Sequence, residues 1–343
     1  MKQTILTFSI IIILFKTGNV LSNNNIFNVN NIEINKDIST NKQKLANQAF
    51  QQGFKKLINR LLLEEDYKRI STTNLTDIKR LISYYQIKND ENSDHVSFNL
   101  FFDRDRIHNF FYQKNILYSD IINTSMIVFP LLIKDKQYFI YTKNYFYENW
   151  KNDKSKDSIQ YTLPLENIES IQKIKLSQEN IFNLDINDFF KEYDLDNMAF
   201  ITIDIDGNIA KVFLSTKIEE KQLNKNLLID KSNLSEEQFN EKIIFEIKKV
   251  LKDLIKSQNL IDVRTPSFLN VKIKLSNKNN LVEFNNRLKK VDLIDNFYVQ
   301  QLNKDFILVK IKYLGKINKI IKKLKDQNID LKMKDGQWKI NII

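Results

Sequence analysis

From residue 267 onward the chain switches repeatedly between two hydrophobic periodicities, and this limits its fold more than any other feature. Alternating apolar residues mark strands at 270–275, 297–302 and 306–313, with a closing strand at 331–334 or 338–342. Two helices lie between them, at 279–291 and 316–328. In the second, Ile317, Ile320, Ile321 and Leu324 fall at i, i+3, i+4 and i+7. Gly315 and Gly336 mark turns. The resulting order, βαββαβ, is the ferredoxin-like plan.

The same reading upstream gives an α+β chain of three small α/β-sandwich-type units. Leu45, Ala49, Phe50, Phe54, Leu57, Ile58, Leu61 and Leu62 recur at helical spacing and predict an amphipathic helix over 41–63. Strands are expected at 26–34, 81–88, 95–102 and 126–133. A helix at 104–114 is capped by Asp103. Beyond a polar run at 153–158 that reads as a linker, 168–176 reads as a strand and 185–193 as a short helix. A hairpin joins 199–204 to 209–217 around Asp206-Gly207-Asn208. Ser235 and Gln238 form a capping box for a helix with Phe239, Ile243, Ile247, Val250 and Leu254 on one face; Lys242, Lys248, Lys249, Lys252 and Lys256 read as its solvated side. Arg264-Thr265-Pro266 breaks the pattern. The expected division is a leader at 1–22, an N-terminal domain at 23–152, a middle domain at 159–263 and the ferredoxin-like unit at 267–343.

The leader is read from Lys2, an apolar run over 5–15, Gly18, and a Val20-Leu21-Ser22 ending. The run is shorter than the roughly 20 residues of a permanent span, and the small residue at its end suits signal peptidase. The expectation is a periplasmic bacterial protein beginning at Asn23, with no membrane span after cleavage. Cysteine is absent, which removes disulfides, thiolate metal sites and cysteine nucleophiles together. Lysine and arginine number 53 against 42 acidic residues, a balance that favours anionic partners. Export argues against nucleic acid.

Five glycines spaced far apart leave no phosphate-binding loop, and no Gly-x-Ser-x-Gly elbow exists. His108 lies three residues after Asp105, on one helix face, a pairing that suits acid–base work but equally a boundary residue beside an ion pair. Asp204 and Asp206 share one side of a strand, as oxygen ligands would. Gly207 and Ser215 fail the EF-hand spacing, so a hairpin turn explains the same letters. No catalytic residue, metal ligand or cofactor is assigned. The remaining concentration of chemistry is aromatic, running from Tyr138 to Trp150. Tyrosine and tryptophan suit protein surfaces as well as cores, and Tyr145, Phe146 and Trp150 are the candidate binding residues.

The helix from Ala46 to Arg60, the strand at 96–102 leading into 103–115, and the buried-looking 126–133 resemble a bacterial envelope family, domain of unknown function 2066. Its members carry an Asn-Pro-Trp-like stretch ending in Trp shortly afterwards; Asn144 to Trp150 occupies that place, with Tyr145 where the proline would stand. The resemblance runs near full length and implies an exported location and this architecture, with no reaction, cofactor or ligand attached. The expected function is a non-catalytic envelope interaction or assembly module whose partner is an envelope or membrane protein. The alternatives are a carboxylate- or metal-dependent envelope hydrolase, and a binder of anionic lipid or polymer through the lysine-rich helices.

Overall fold

The computed structural model describes residues 25–36, 41–89, 94–121, 124–151, 159–193, 195–274 and 280–342. The leader at 1–22 and the linker at 153–158 lie outside them. In chain order the first elements are β1 (Asn28–Asn35), α1 (Lys42–Leu61), α2 (Glu64–Ile70), α3 (Leu75–Leu81), β2 (Ile82–Asn89), β3 (His95–Phe102) and α4 (Arg104–Lys114). Next come β4 (Tyr118–Ser119), β5 (Thr124–Lys134), β6 (Gln137–Phe139), α5 (Tyr145–Asn149), β7 (Ile159–Thr162), α6 (Ile168–Leu176) and α7 (Asn187–Phe190). There follow β8 (Asn197–Asp206), β9 (Ile209–Ile218), β10 (Lys221–Asp230), α8 (Glu236–Ser257) and β11 (Leu260–Ile261). The chain closes with β12 (Ser267–Lys274), α9 (Asn280–Leu288), β13 (Ile294–Leu302), β14 (Phe306–Tyr313), α10 (Ile317–Asp326), β15 (Ile329–Lys334) and β16 (Gln337–Ile342). The fold is α+β.

The chain divides into two compact units, not three. Of the described residues, one unit joins those up to 59 with those of 68–117 and those from 262 on; the other holds those of 60–67 and 118–261. The boundary expected near 152–159 fails because β5 and β8, placed in different domains by the sequence, pair in parallel from Ile127↔Met198 to Lys134↔Ile205. The boundary at 263–267 fails because 262–342 bonds back to the N-terminal segment. Arg104 donates to the Ile294 carbonyl at 3.1 Å, and Arg264 to Asn115 Oδ1 at 3.0 Å.

In the first unit, β3 buries Val96, Phe98, Leu100 and Phe102 at alternate positions in a sheet of order β1-β3-β2. The apolar stripe of α1 covers that face. Gly53 permits the close approach, since a Cβ there would stand 2.4 Å from Leu100 Cδ1 and 2.7 Å from Ile32 Cδ1. Asp103 caps α4 as expected, accepting from the Arg106 amide. The C-terminal segment forms a second sheet, ordered β13-β14-β12-β16-β15, and reads βαββαββ. Both candidates for the last strand form, because Asp335-Gly336, each at positive φ, makes a two-residue hairpin between them. β16 then takes the place beside β12, running parallel to it.

The second unit is a three-layer arrangement about the sheet β10-β9-β8-β5-β6, with β7 also on β5. One core packs Val128, Ile201 and Val212 against Phe239, Ile243, Ile247 and Leu251 of α8. The other packs Ile127, Phe129 and Phe200 against Ile174, Ile186 and Phe189. The segment 168–176, expected as a strand, is therefore helix α6. Its isoleucines at 168, 171 and 174 stand three apart, a helical spacing that a strand would split between its two faces, and Asn167 caps it by accepting from the Glu169 amide at 2.7 Å. The capping box of α8 forms as read, with Ser235 and Gln238 bonded reciprocally.

Candidate functional site

Phe146 and Trp150 are both 0% exposed and belong to the core beneath α8. Tyr145 packs at its margin, edge-on to Phe146 at 5.9 Å, and burial pushes its phenol pKa upward. The binding patch expected at Tyr145, Phe146 and Trp150 is thus corrected to a core element, because α5 turns these rings into the sheet. Asn144 causes the turn. Fully buried, it donates through Nδ2 to the carbonyls of Pro130, Phe139 and Ile140, each at 2.9 Å, and accepts through Oδ1 from the Phe146 and Tyr147 amides. It thereby satisfies the edge of β5 where Pro130 lacks an N–H and neither β6 nor β7 reaches.

The other candidates are also placed. His108 packs edge-on to Phe27 at 5.4 Å, and burial, aided by Arg104, lowers its pKa to about 4, so the imidazole is neutral at ordinary pH. Asp105 turns to Arg104 at 3.1 Å. Asp206 ends β8 at the hairpin and faces Lys211 at 3.8 Å. Among the described residues no group of three or more His, Asp or Glu side chains stands close enough to hold a metal.

The lysines of α8 do not form a uniform solvated face. Lys248 is buried, with its ammonium 6.0 Å from the Trp150 ring and 5.5 Å from that of Tyr161. Lys256 is only 4% exposed and donates to the Leu62 carbonyl. Burial, with the Lys252 charge, lowers its pKa to about 7 against the pull of Asp253 and Glu64.

The feature with the geometry of a binding site is a cleft of about 580 Å³ in the second unit, between the 164–173 segment and 188–193. Its backbone is held open by two tyrosines. Tyr147 donates to the Pro164 carbonyl at 2.8 Å, and the Leu165 amide donates to the Tyr193 hydroxyl at 2.9 Å. Tyr141 stands edge-on to Tyr147 at 5.1 Å, and burial raises both phenol pKa values, which keeps them neutral. Lys173 spans the cleft floor, donating to the Asp188 carbonyl at 3.1 Å, while Lys191 pairs with Asp188 at 2.6 Å. At the mouth Leu165 and Ile168 are 78% and 73% exposed. Sequence reasoning missed this cleft because it took 168–176 for a strand; Asn167 as a helix cap was the available signal. A second cleft, of about 520 Å³, lies in the first unit between Arg69, Asn74 and Phe110.

Comparison with protein-family models, curated proteins and solved structures found no match. Among the described residues no helix is long and apolar enough to cross a membrane.

Proposed function

We propose that this chain is an exported, periplasmic envelope protein that acts by binding a protein partner, without catalysis, and that the α6 cleft receives an amphipathic segment of that partner. On this reading residues 1–22 are a cleaved leader, the C-terminal sheet is a ferredoxin-like variant with one added strand, and the chain is a relative of the envelope family it resembles. The observation that carries the binding role is the pair Leu165 and Ile168. Two large aliphatic side chains stay in solvent at the mouth of a cleft whose walls are held by tyrosine hydrogen bonds. The mixed lysine and glutamate rim supplies polar contacts around an apolar anchor, as partner sites do.

A photocrosslinking residue at Ile168, in cells expressing the full chain, is expected to give one discrete adduct with an envelope protein, and Leu165→Asp should abolish it. The same crosslinker at Leu228, exposed on β10, should give none. Identical adducts from both positions, or none from Ile168, would remove the cleft as a partner site. N-terminal sequencing of the same material is expected to begin at Asn23; an intact Met1 refutes export.

A further inference from the structure

The five-stranded C-terminal sheet has one face buried and one open. Leu269, Val271 and Ile273 of β12 and Ile307, Val309 and Ile311 of β14 all point to the buried side. Phe284 of α9 lies there too, edge-on to Phe297 at 5.9 Å. The intervening residues form the open face, where lysine is the commonest residue among a few aromatic, aliphatic and amide groups and Asp330. Lys272 and Lys274 come from β12, Lys310 and Lys312 from β14, Lys332 from β15 and Lys339 from β16.

Register sharpens the pattern. Lys332 lies opposite Lys339, and Lys339 opposite Lys272, so three lysine positions stand side by side across three strands. Like charges directly opposite each other destabilise a sheet, and the neutralisation within the face is partial. Lys332 pairs with Asp330 at 2.7 Å, Lys339 with Asp335 at 2.8 Å and Lys312 with Asp295 at 2.6 Å. Among the described residues Lys272, Lys274 and Lys310 have no carboxylate within ion-pair distance. Phe268 and Tyr298 interleave with them, 52% and 49% exposed.

We infer that this open face docks on the surface of an anionic lipid bilayer. The charges form a two-dimensional array, spaced about 4.8 Å between strands and about 6.8 Å along them, and a headgroup plane matches such an array. The strands carry no arginine, so the contact uses point charges of the kind that attract phosphates without bidentate selection. The aromatic rings decide against a single-stranded nucleic acid, which needs free ring faces for its bases. Here two of the rings already carry an ammonium: that of Lys310 sits 4.5 Å from the Phe268 centroid, and that of Lys272 sits 3.9 Å from the Phe306 centroid. The outward parts of Phe268 and Tyr298 remain for the interface, where amphipathic rings settle. This inference does not rest on the α6 cleft or on export.

The test is co-sedimentation of the full chain with vesicles of phosphatidylglycerol mixed with phosphatidylcholine, against phosphatidylcholine alone. Binding to the anionic vesicles only is expected, weakening as salt rises. Lys272→Glu with Lys310→Glu should lower it by more than about tenfold, whereas Lys322→Glu with Lys325→Glu, the same charge change on the exposed side of α10, should leave it within about threefold. Lys272→Glu places a carboxylate opposite Lys339, which favours folding of the variant; Lys272→Gln with Lys310→Gln serves if melting shows otherwise. Equal loss in the two double variants, absence of vesicle binding, or displacement of the vesicles by a single-stranded oligonucleotide would each overturn the inference.

Discussion

Replacing Lys256 by methionine removes one buried charge while keeping a long, flexible side chain in the same space. In the folded chain the amine loses its proton near pH 7, whereas unfolded it holds the proton to about its ordinary 10.5. Between those values unfolding takes up a proton, so the folded state gains stability as pH rises, by up to about 1.4 kcal/mol per pH unit. Over the whole interval the gain is about 5 kcal/mol. Methionine has no such proton, but it leaves the Leu62 carbonyl without its donor, a loss of about 1–3 kcal/mol. Lys256→Met is therefore expected to be about 2–4 kcal/mol more stable than the wild type at pH 7 and less stable at pH 10, the two lines crossing between. Asp253 has its pKa raised mainly by burial and is pulled back down in part by Lys256 itself, so its pKa rises further in the variant, while Glu64 and Lys252 are the other charges facing the site. Urea unfolding at pH 7, 8, 9 and 10 measures it directly. Two parallel lines of unfolding free energy against pH would refute the reasoning.

Two further substitutions probe the packing. Asn144→Asp exchanges an NH₂ group facing three carbonyls for an oxygen, and a loss of at least about 3 kcal/mol is expected by urea unfolding; a milder effect than that of Asn144→Ala would count against the hub. Gly53→Ala adds up to about 1 kcal/mol of helix propensity but drives a methyl into Leu100 and Ile32, so a net loss of about 1–2 kcal/mol is expected, and an unchanged or raised melting temperature would refute the close approach.

What the sequence made legible was local. Asp103, the Ser235–Gln238 box and the Gly207 turn each place their donors or their positive φ within four residues, so the residue types alone determine them. The pairing of β5 with β8 was not legible, because more than sixty residues separate the two strands and a continuous apolar run fits either a parallel sheet or a separate core. Helix α6 was lost because the β-branched isoleucines favour a strand by type although their three-residue spacing is helical, and the α6 cleft was lost with it. The 138–150 aromatics were misjudged for a related reason. Their direction depends on Asn144, whose five bonds join two amides just after it to three carbonyls, the farthest fourteen residues away.

The lysine excess shows why composition alone could not separate function from background. Lys256 and Lys248 are buried against a carbonyl and two rings; Lys249 holds Glu64 at 2.9 Å; Lys242 caps the Asp230 carbonyl at 2.8 Å. Each of these has a structural role that a count registers only as positive charge. The lysines of the open C-terminal face differ in kind. Three of them, Lys272, Lys339 and Lys332, are aligned by strand register with one another, an arrangement that destabilises the isolated sheet and that the Asp330 and Asp335 pairs offset only in part. An anion lying across the face would relieve that repulsion, so the bilayer-bound chain should resist heating better than the free chain, and by a smaller margin once Lys272 and Lys310 carry glutamate instead.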